Sequence, residues 1–464
     1  MPRTERAGVL TSSYRDPSGF LFRRKGRLLR QVNLSYRSDY DHCKTSGLYD
    51  DLIQRGHLIP HQESSESFQE RMGGYKVIVP EEVPFISYPY EWCFSQLKDA
   101  SLLTLNILRV ALRYGAFLKD ASPFNVQFHR GKPIFIDSLS FRLYQEGEPW
   151  VAYRQFCEQF LAPLALVAFC HERLALLPLP FLDGIPLGLT SRILPLRARF
   201  NLGIFTHIVL HARSQWRFQG TSPRVLKGRF TKTAFLGLID SLERTVRSLE
   251  WNLPQSTWLH YDDTKMYAQS ATSEKEQFVR DTLGQRTFNS VWDLGANLGL
   301  FSKIPASEGI HTLAFDSEHA VVERLYRKCR GEGEENILPT VADIAAPSPS
   351  VGWQLRERMS LIERGPADLV LALALIHHLA IGRNVPLHSI AEFLSDIGRN
   401  LVIEFVPKED PQIRRMLLVR EDVFARYSLE EFERVFGRRF VIQRRTSLTG
   451  TDRILYSMKN RRSS

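Results

Sequence analysis

Paired cysteines are missing from this chain. Its five cysteines, Cys43, Cys93, Cys157, Cys170 and Cys329, show no CxxC spacing and are odd in number. That argues against a zinc site and against a disulfide framework, and it fits a reducing cytoplasm. Long hydrophobic runs are missing as well. The most apolar stretch, Phe160 to Cys170, is too short to span a bilayer and is closed by His171, Glu172 and Arg173, so no transmembrane segment is expected. The opening MPRTERAGVLTSSYRDPSG has no apolar signal core, and the expected location is cytoplasmic. There is no internal repeat and no low-complexity tract. Acidic residues are the minority charge, with 51 Asp+Glu against 61 Lys+Arg and a net charge of +10. Such a balance favours acidic partners. The basic residues are scattered rather than gathered in one block, so nucleic acid is allowed but not favoured.

What is present is an ordinary globular composition, 43% hydrophobic and 24% charged, in a chain of 464 residues. That length exceeds one typical core, and two or three domains are expected. Residues 1–160 mix strand-like runs (GFLFRRKGRLLRQV, YKVIVP, KPIFIDSLSF) with a helix over Ser101 to Tyr114, an α+β texture. Residues 161–255 are rich in Leu, Arg and Pro and read as a mostly helical continuation or connector. From about 256 to 464 strands and helices alternate, which predicts an α/β doubly wound parallel sheet. SVWDLG, HTLAFD, NILPTVAD, ADLVLALAL and NLVIEFVP are the five strands, and RFVIQRR with RILYSMK forms a closing antiparallel hairpin.

The sharpest motif is VWDLGANLG, residues 291–299. A strand runs into Asp293, and Gly295 and Gly299 permit a tight turn into a helix beginning near Gly299. Free N–H groups at that helix start would suit a carboxylate. The dinucleotide pattern GxGxxG is not met, because Asn297 and Leu300 stand where its later glycines belong, and a smaller cofactor than NAD is indicated. The second strand ends in Asp316, placed to accept both hydroxyls of a ribose or, alternatively, to cap the following helix. Asp343 ends the third strand, where an adenine contact and a simple cap are both open.

These residues resemble the class I S-adenosylmethionine-dependent methyltransferases. DLGANLG resembles the family's first motif, Asp316 its ribose acid, ADLVLALALIHHL its fourth motif, and the final hairpin the reversed strand pair that separates this Rossmann-like fold from dehydrogenases. The resemblance implies that Gly295, Ala296, Asn297 and Gly299 line the methionine part of the cofactor, that Asp293 orients its amino group and that Asp316 holds the ribose. Asn297 replaces the commonest middle glycine. Methyl transfer is an in-line displacement that needs alignment and dryness more than acid–base help. His377 and His378, after the fourth strand, are the candidate catalytic or acceptor-contacting groups; the alternative is core packing and a loop hydrogen bond. Glu404, closing LVIEF, is a further candidate. An Asn-Pro-Pro-Tyr-type motif is absent.

A second constellation lies in LKDASPFNVQFHRGKPIFIDSLSF, residues 118–141. Asp120, Asn125 and Asp137 resemble the catalytic loop and metal-binding acid of protein-kinase-like and aminoglycoside-phosphotransferase-like enzymes. That resemblance implies a nucleotide site holding Mg2+ and ATP, with Lys119 near phosphate; the nucleotide-pairing lysine is not assigned by the pattern, and Lys76 in YKVIVP is the candidate for it. The pattern departs from the family: FRRKGRLL replaces a GxGxxG loop, and Asp137-Ser138-Leu139 stands in place of Asp-Phe-Gly. The alternative is a loop whose Asp and Asn bond their own turn. Tyr88, Tyr90, Glu91 and Trp92 form an aromatic-acidic cluster suited to acceptor recognition or to packing.

The whole chain resembles long bacterial two-part methyltransferases, some of them nodulation-type proteins. The expected function is methyl transfer from S-adenosylmethionine to an unidentified acceptor, bound or presented by the N-terminal region. The alternatives are an ATP-dependent phosphotransferase or pseudokinase carrying a methyltransferase-like appendage, and a non-catalytic module using the basic stretches SRILPLRARF and PRVLKGRF on nucleic acid or membrane.

Overall fold

The computed structural model describes residues 9–64, 73–217, 230–253, 269–419 and 421–463. The first eight residues, most of PRVLKGRF and the expected domain start near 256 lie outside the described residues. The chain divides into two units, one of Met1–Asn252 with Val351–Arg358 and one of Leu253–Ser350 with Met359–Ser464.

The first unit opens with an antiparallel sheet of order β1-β2-β4-β3, made of β1 (Gly19–Arg24), β2 (Arg27–Asn33), β3 (His61–Glu63) and β4 (Gly74–Pro80). Lys25 and Gly26 turn the β1–β2 hairpin with φ of 50° and 77°, the left-handed pair that matches strand twist. Helices α1 (Arg37–Thr45) and α2 (Leu48–Gln54) separate β2 from β3. The expected helix from Ser101 is longer than its periodicity suggests: α3 spans Phe94–Arg113. Its buried face includes Leu97, Ala100, Leu105, Leu108 and Ala111, and α4 (Lys232–Ser248) packs on it. Two short ladders follow α3 in sequence. One pairs β5 (Ala116–Leu118) with β8 (Phe141–Leu143), the other pairs β6 (Val126–His129) with β7 (Lys132–Phe135).

The second unit is built on seven strands: β9 (Ser290–Leu294), β10 (His311–Asp316), β11 (Ile337–Val341), β12 (Leu369–Ala372), β13 (Asn400–Phe405), β14 (Phe440–Ser447) and β15 (Ile454–Asn460). Their order is β11-β10-β9-β12-β13-β15-β14. The first five are parallel, and β15 enters antiparallel between β13 and β14. This is the class I methyltransferase fold with its reversed hairpin, as the sequence pattern predicts. Helices α5 (Gln269–Leu283), α6 (His319–Glu332), α7 (Leu387–Ile397) and α8 (Leu429–Arg439) flank the sheet. The parallel strands are covered on both faces, so β11, β12 and β13 are buried at every position, as such sheets require. One core joins Phe278, Val291, Leu371, Val402 and Leu455; another joins Ala296, Ala314, Leu325 and Ile337.

Two boundaries differ from expectation. The helix after β9 is only Lys303–Ser307, and residues 295–302 form the turn before it. Its dipole therefore does not act at Gly299. Asp343 lies in the loop beyond β11, which ends at Val341.

Candidate active site

At the order reversal of a parallel sheet, two neighbouring strands send their loops apart and leave a crevice at their carboxyl ends. Here that crevice falls beyond β9, between the neighbours β10 and β12. Gly295 and Gly299 both have φ of 77°, and Asn297 sits at 49°, in the left-handed region that Asn tolerates better than most residues. A Cβ on Gly299 would come within 2.8 Å of Leu325 Cδ1 on α6, and one on Gly295 would lie 3.5 Å from Leu375 Cδ1. Gly299 thus lets α6 approach, while Gly295 is demanded by its φ.

Four amides of this turn, those of Gly295, Ala296, Asn297 and Gly299, are already bonded within the protein. Gly295 and Ala296 both donate to the Phe315 carbonyl at 2.9 Å, and Gly299 donates to Ala296. Asn297 N–H donates to Asp316 Oδ2 at 3.0 Å. Asn297 Oδ1, by contrast, is buried without a hydrogen-bond partner. An orphan acceptor of this kind costs free energy until a donor arrives. At Asn297 the turn therefore presents an acceptor, which fits a cationic amino group.

Asp316 accepts Asn297 N–H on one oxygen and Glu318 N–H on the other. A carboxylate has about four acceptor positions, so each oxygen keeps capacity for a ligand hydroxyl. Burial raises its pKa. Asp293 is buried and accepts the Ser302 hydroxyl at 2.6 Å. Burial first, then the nearby Asp316 charge, push its pKa from 3.8 to about 7 against the opposing hydrogen bond from Ser302. Asp293 and Asp316 are thus two coupled acids, with Asn297 bonded to the second. Asp343 is engaged otherwise, accepting Ala345 N–H and pairing with Arg383 at 2.7 Å.

His377 and His378 follow β12, with rings tilted and 4.2 Å apart. His377 is 0% exposed, and neither of its nitrogens makes a well-formed hydrogen bond, although the Gln412 amide lies near. Burial, then His378, Arg453 and Lys275, hold its pKa well below the ordinary value. His378 is partly exposed and lowered by burial and Arg453; it opens a π-helical turn, His378–Gly382, a distortion frequent at functional sites.

Glu404 is not a free base. It is fully buried, pairs with Lys275 at 2.8 Å and Arg453 at 3.1 Å, and accepts Ala374 N–H at 2.9 Å. Ala374 has a φ of 49°, strained for a residue with a Cβ, and Glu404 holds that bend just ahead of the two histidines. Arg453 also grips Asp410 at 2.7 and 3.0 Å. Lys275, Asp410 and Arg453 carry no motif, because their partners are remote in sequence and only folding brings them together.

In the first unit, Asp120, Asn125 and Asp137 do converge. Asp120 is raised by burial and then by Asp137, and it accepts the Gln155 amide at 2.7 Å, while the Asn125 amide donates to the Ser140 hydroxyl at 3.3 Å. Asp137 is already engaged, however: Arg30 of β2 contacts Oδ1 at 2.6 Å, Leu139 N–H donates to the same oxygen, and the Ser140 hydroxyl donates to Oδ2. Lys119 donates to Ser18 and stacks 4.4 Å above Tyr36. Lys76 pairs with Glu63 on the neighbouring strand at 3.0 Å. Tyr88, Tyr90, Glu91 and Trp92 are all buried; Glu91 accepts Tyr88 N–H and Trp92 donates to Ser87. That cluster is packing.

No protein-family model matches the chain. Nodulation protein NoeA of Rhizobium meliloti (strain 1021) is 33% identical over 463 residues, covering 98% of this chain and 96% of that protein. The chain belongs to the NoeA family. The whole-chain resemblance to nodulation-type proteins agrees with this. Among solved structures, the bifunctional kinase-methyltransferase WbdD matches at 14% identity with a TM-score of 0.32, over 45% of this chain and 43% of that one. The N-methyltransferase NodS from Bradyrhizobium japonicum WM9 matches at 14% identity and a TM-score of 0.31, over 41% of this chain and 97% of that one. The match thus spans less than half of WbdD. At scores this low the strand order itself, not the neighbour, defines the fold.

Proposed function

We propose that this protein is an S-adenosylmethionine-dependent methyltransferase whose methyltransferase domain occupies residues 256–464, with residues 1–160 and the helical continuation 161–255 binding or presenting the acceptor. The observation that carries the reading is the acceptor-lined turn after β9, bonded through Asn297 N–H to Asp316. Bound there, the cofactor supplies an electrophilic methyl group on a sulfonium. Gly295, Ala296, Asn297 and Gly299 would line its methionine part. Asp293 and the orphan Asn297 Oδ1 would receive the amino group, and a cation beside Asp293 draws that carboxyl back to its charged form. The spare acceptor positions of Asp316 would take the ribose hydroxyls.

His378, the more accessible of the pair, would contact the acceptor, and His377 would orient it from behind. Both rings are kept neutral, so each retains an unprotonated nitrogen able to accept a proton from an acceptor group. Asp343, tied to Arg383, remains a minor contact to the adenine side. The phosphotransferase reading is disfavoured, because Arg30 already neutralises the acid that would hold Mg2+.

Calorimetric titration with S-adenosylmethionine tests the assignment. Micromolar binding, removed by Asp316→Ala, is expected. Wild-type protein giving neither heat nor a thermal shift with S-adenosylmethionine sinks it.

A further inference from the structure

From Gly184 to Ile239 the sequence contains no Asp or Glu and nine Lys or Arg. Within that stretch, in the first unit, the chain turns its apolar side chains outward. Leu194, Ala198 and Ile204 anchor it and are 4%, 0% and 0% exposed, yet Leu196, Phe200 and Leu202 stand 72%, 90% and 78% exposed. Leu196–Phe200 is a single 3-10 helix, in which residues three apart eclipse one another. Leu196 is therefore aligned with Arg199, and Arg197 with Phe200. Arg192, Arg197 and Arg199 are exposed. Arg197 donates to the Phe169 carbonyl at 2.8 Å, and none of the three forms an ion pair among the described residues.

Scattered exposed leucines are ordinary. Three large apolar side chains projecting within seven residues, two of them adjoining an arginine and all far in sequence from any acid, form a patch with a purpose. Apolar side chains that stand clear of the surface fit a fluid layer they can enter, and guanidinium groups beside them fit anionic headgroups. A nucleic acid would use the arginines but leave Leu196 and Leu202 in water.

The geometry points to Leu196–Leu202 as a docking surface for an anionic lipid bilayer, with Leu196, Phe200 and Leu202 inserting between headgroups and Arg192 and Arg199 binding their phosphates. It is independent of the methyltransferase assignment. The surface would hold the enzyme at a membrane, where amphipathic acceptors collect.

Co-sedimentation of the full chain with vesicles tests this, using phosphatidylcholine alone and phosphatidylcholine carrying roughly 30% phosphatidylglycerol. Binding to the mixed vesicles and about tenfold weaker binding to the neutral ones is expected. The triple variant L196S/F200S/L202S should lose binding by a factor of about ten or more, and R192Q/R199Q should lose the preference for anionic lipid. These positions are exposed, so the thermal midpoint should hold in both variants. No binding to anionic vesicles, or binding the triple variant leaves unchanged, overturns the proposal. So does a fall in solution mass in the triple variant, which would mark the patch as a contact between two copies.

Discussion

The two halves of this chain each bring acids together from separated positions, and they treat them in opposite ways. In the first unit Asp137 is closed by protein: Arg30, Ser140 and the Leu139 amide already answer its oxygens. In the second unit the acids around β9 remain open. Asp316 keeps spare acceptor capacity, Asp293 is buried and raised to about 7, and Asn297 Oδ1 has no partner. Similar residue types thus form an internal brace in one place and leave acceptor positions unfilled in the other. The difference lies in whether a buried counter-charge from the chain has already arrived. Motif spacing does not register that.

The sharpest contrast to break is between the braces and the open site. The largest effect is expected at Arg453, whose removal by Arg453→Met leaves Asp410 buried without its cation and Glu404 with Lys275 alone. A loss of about 3–5 kcal/mol in urea unfolding is the expected outcome. Next comes Gly295→Val: a branched side chain at a φ of 77° should weaken S-adenosylmethionine binding by roughly a hundredfold in calorimetry while the far-ultraviolet circular dichroism stays native. Retained affinity would detach the turn from the cofactor. Arg30→Met should cost about 2–3 kcal/mol of stability, less than Arg453 because its partners are partly solvated, and should leave cofactor affinity unchanged. ATP with Mg2+ should give no thermal shift in the wild type. A shift abolished by Asp137→Ala would make the first constellation a working nucleotide site.

The smallest effect is in pH. Asp293 is protonated in the folded protein below about 7 and ionised in the unfolded chain above 3.8, so its contribution to stability declines as pH rises through that window and is level above it. Affinity for a cationic amino group runs the other way and should rise about tenfold or less across pH 6–8. Asp293→Asn should flatten that profile; an unchanged slope would assign it to another group. The lowered pKa values of His377 and His378 have the opposite consequence for stability, which should be full above the ordinary histidine range and fall as the solution is acidified below it.

Much of the second unit was readable in advance. Runs such as VWDLG, HTLAFD and NLVIEF carry consecutive apolar residues rather than an alternation because a parallel sheet is covered on both faces, and the amphipathic helices between them follow from the same cause. The short helix at Lys303–Ser307 was not readable: the chain takes a helical path only from Ser302, whose hydroxyl turns back to Asp293. The histidine pair could be found from its place after the fourth strand, but its burial could not.

Local pattern alone therefore determined the alternation of strands and helices, the glycine turn and the acid beside it, since each depends on residues within a few positions of one another. Only the folded chain decided the order of the strands in the sheet, that four of the turn's amides are spent, that Glu404 is braced rather than basic, and that Arg30 stands on Asp137. The last two outcomes depend on buried charges meeting across dozens of residues, where the cost of desolvation selects partners that no sequence spacing records.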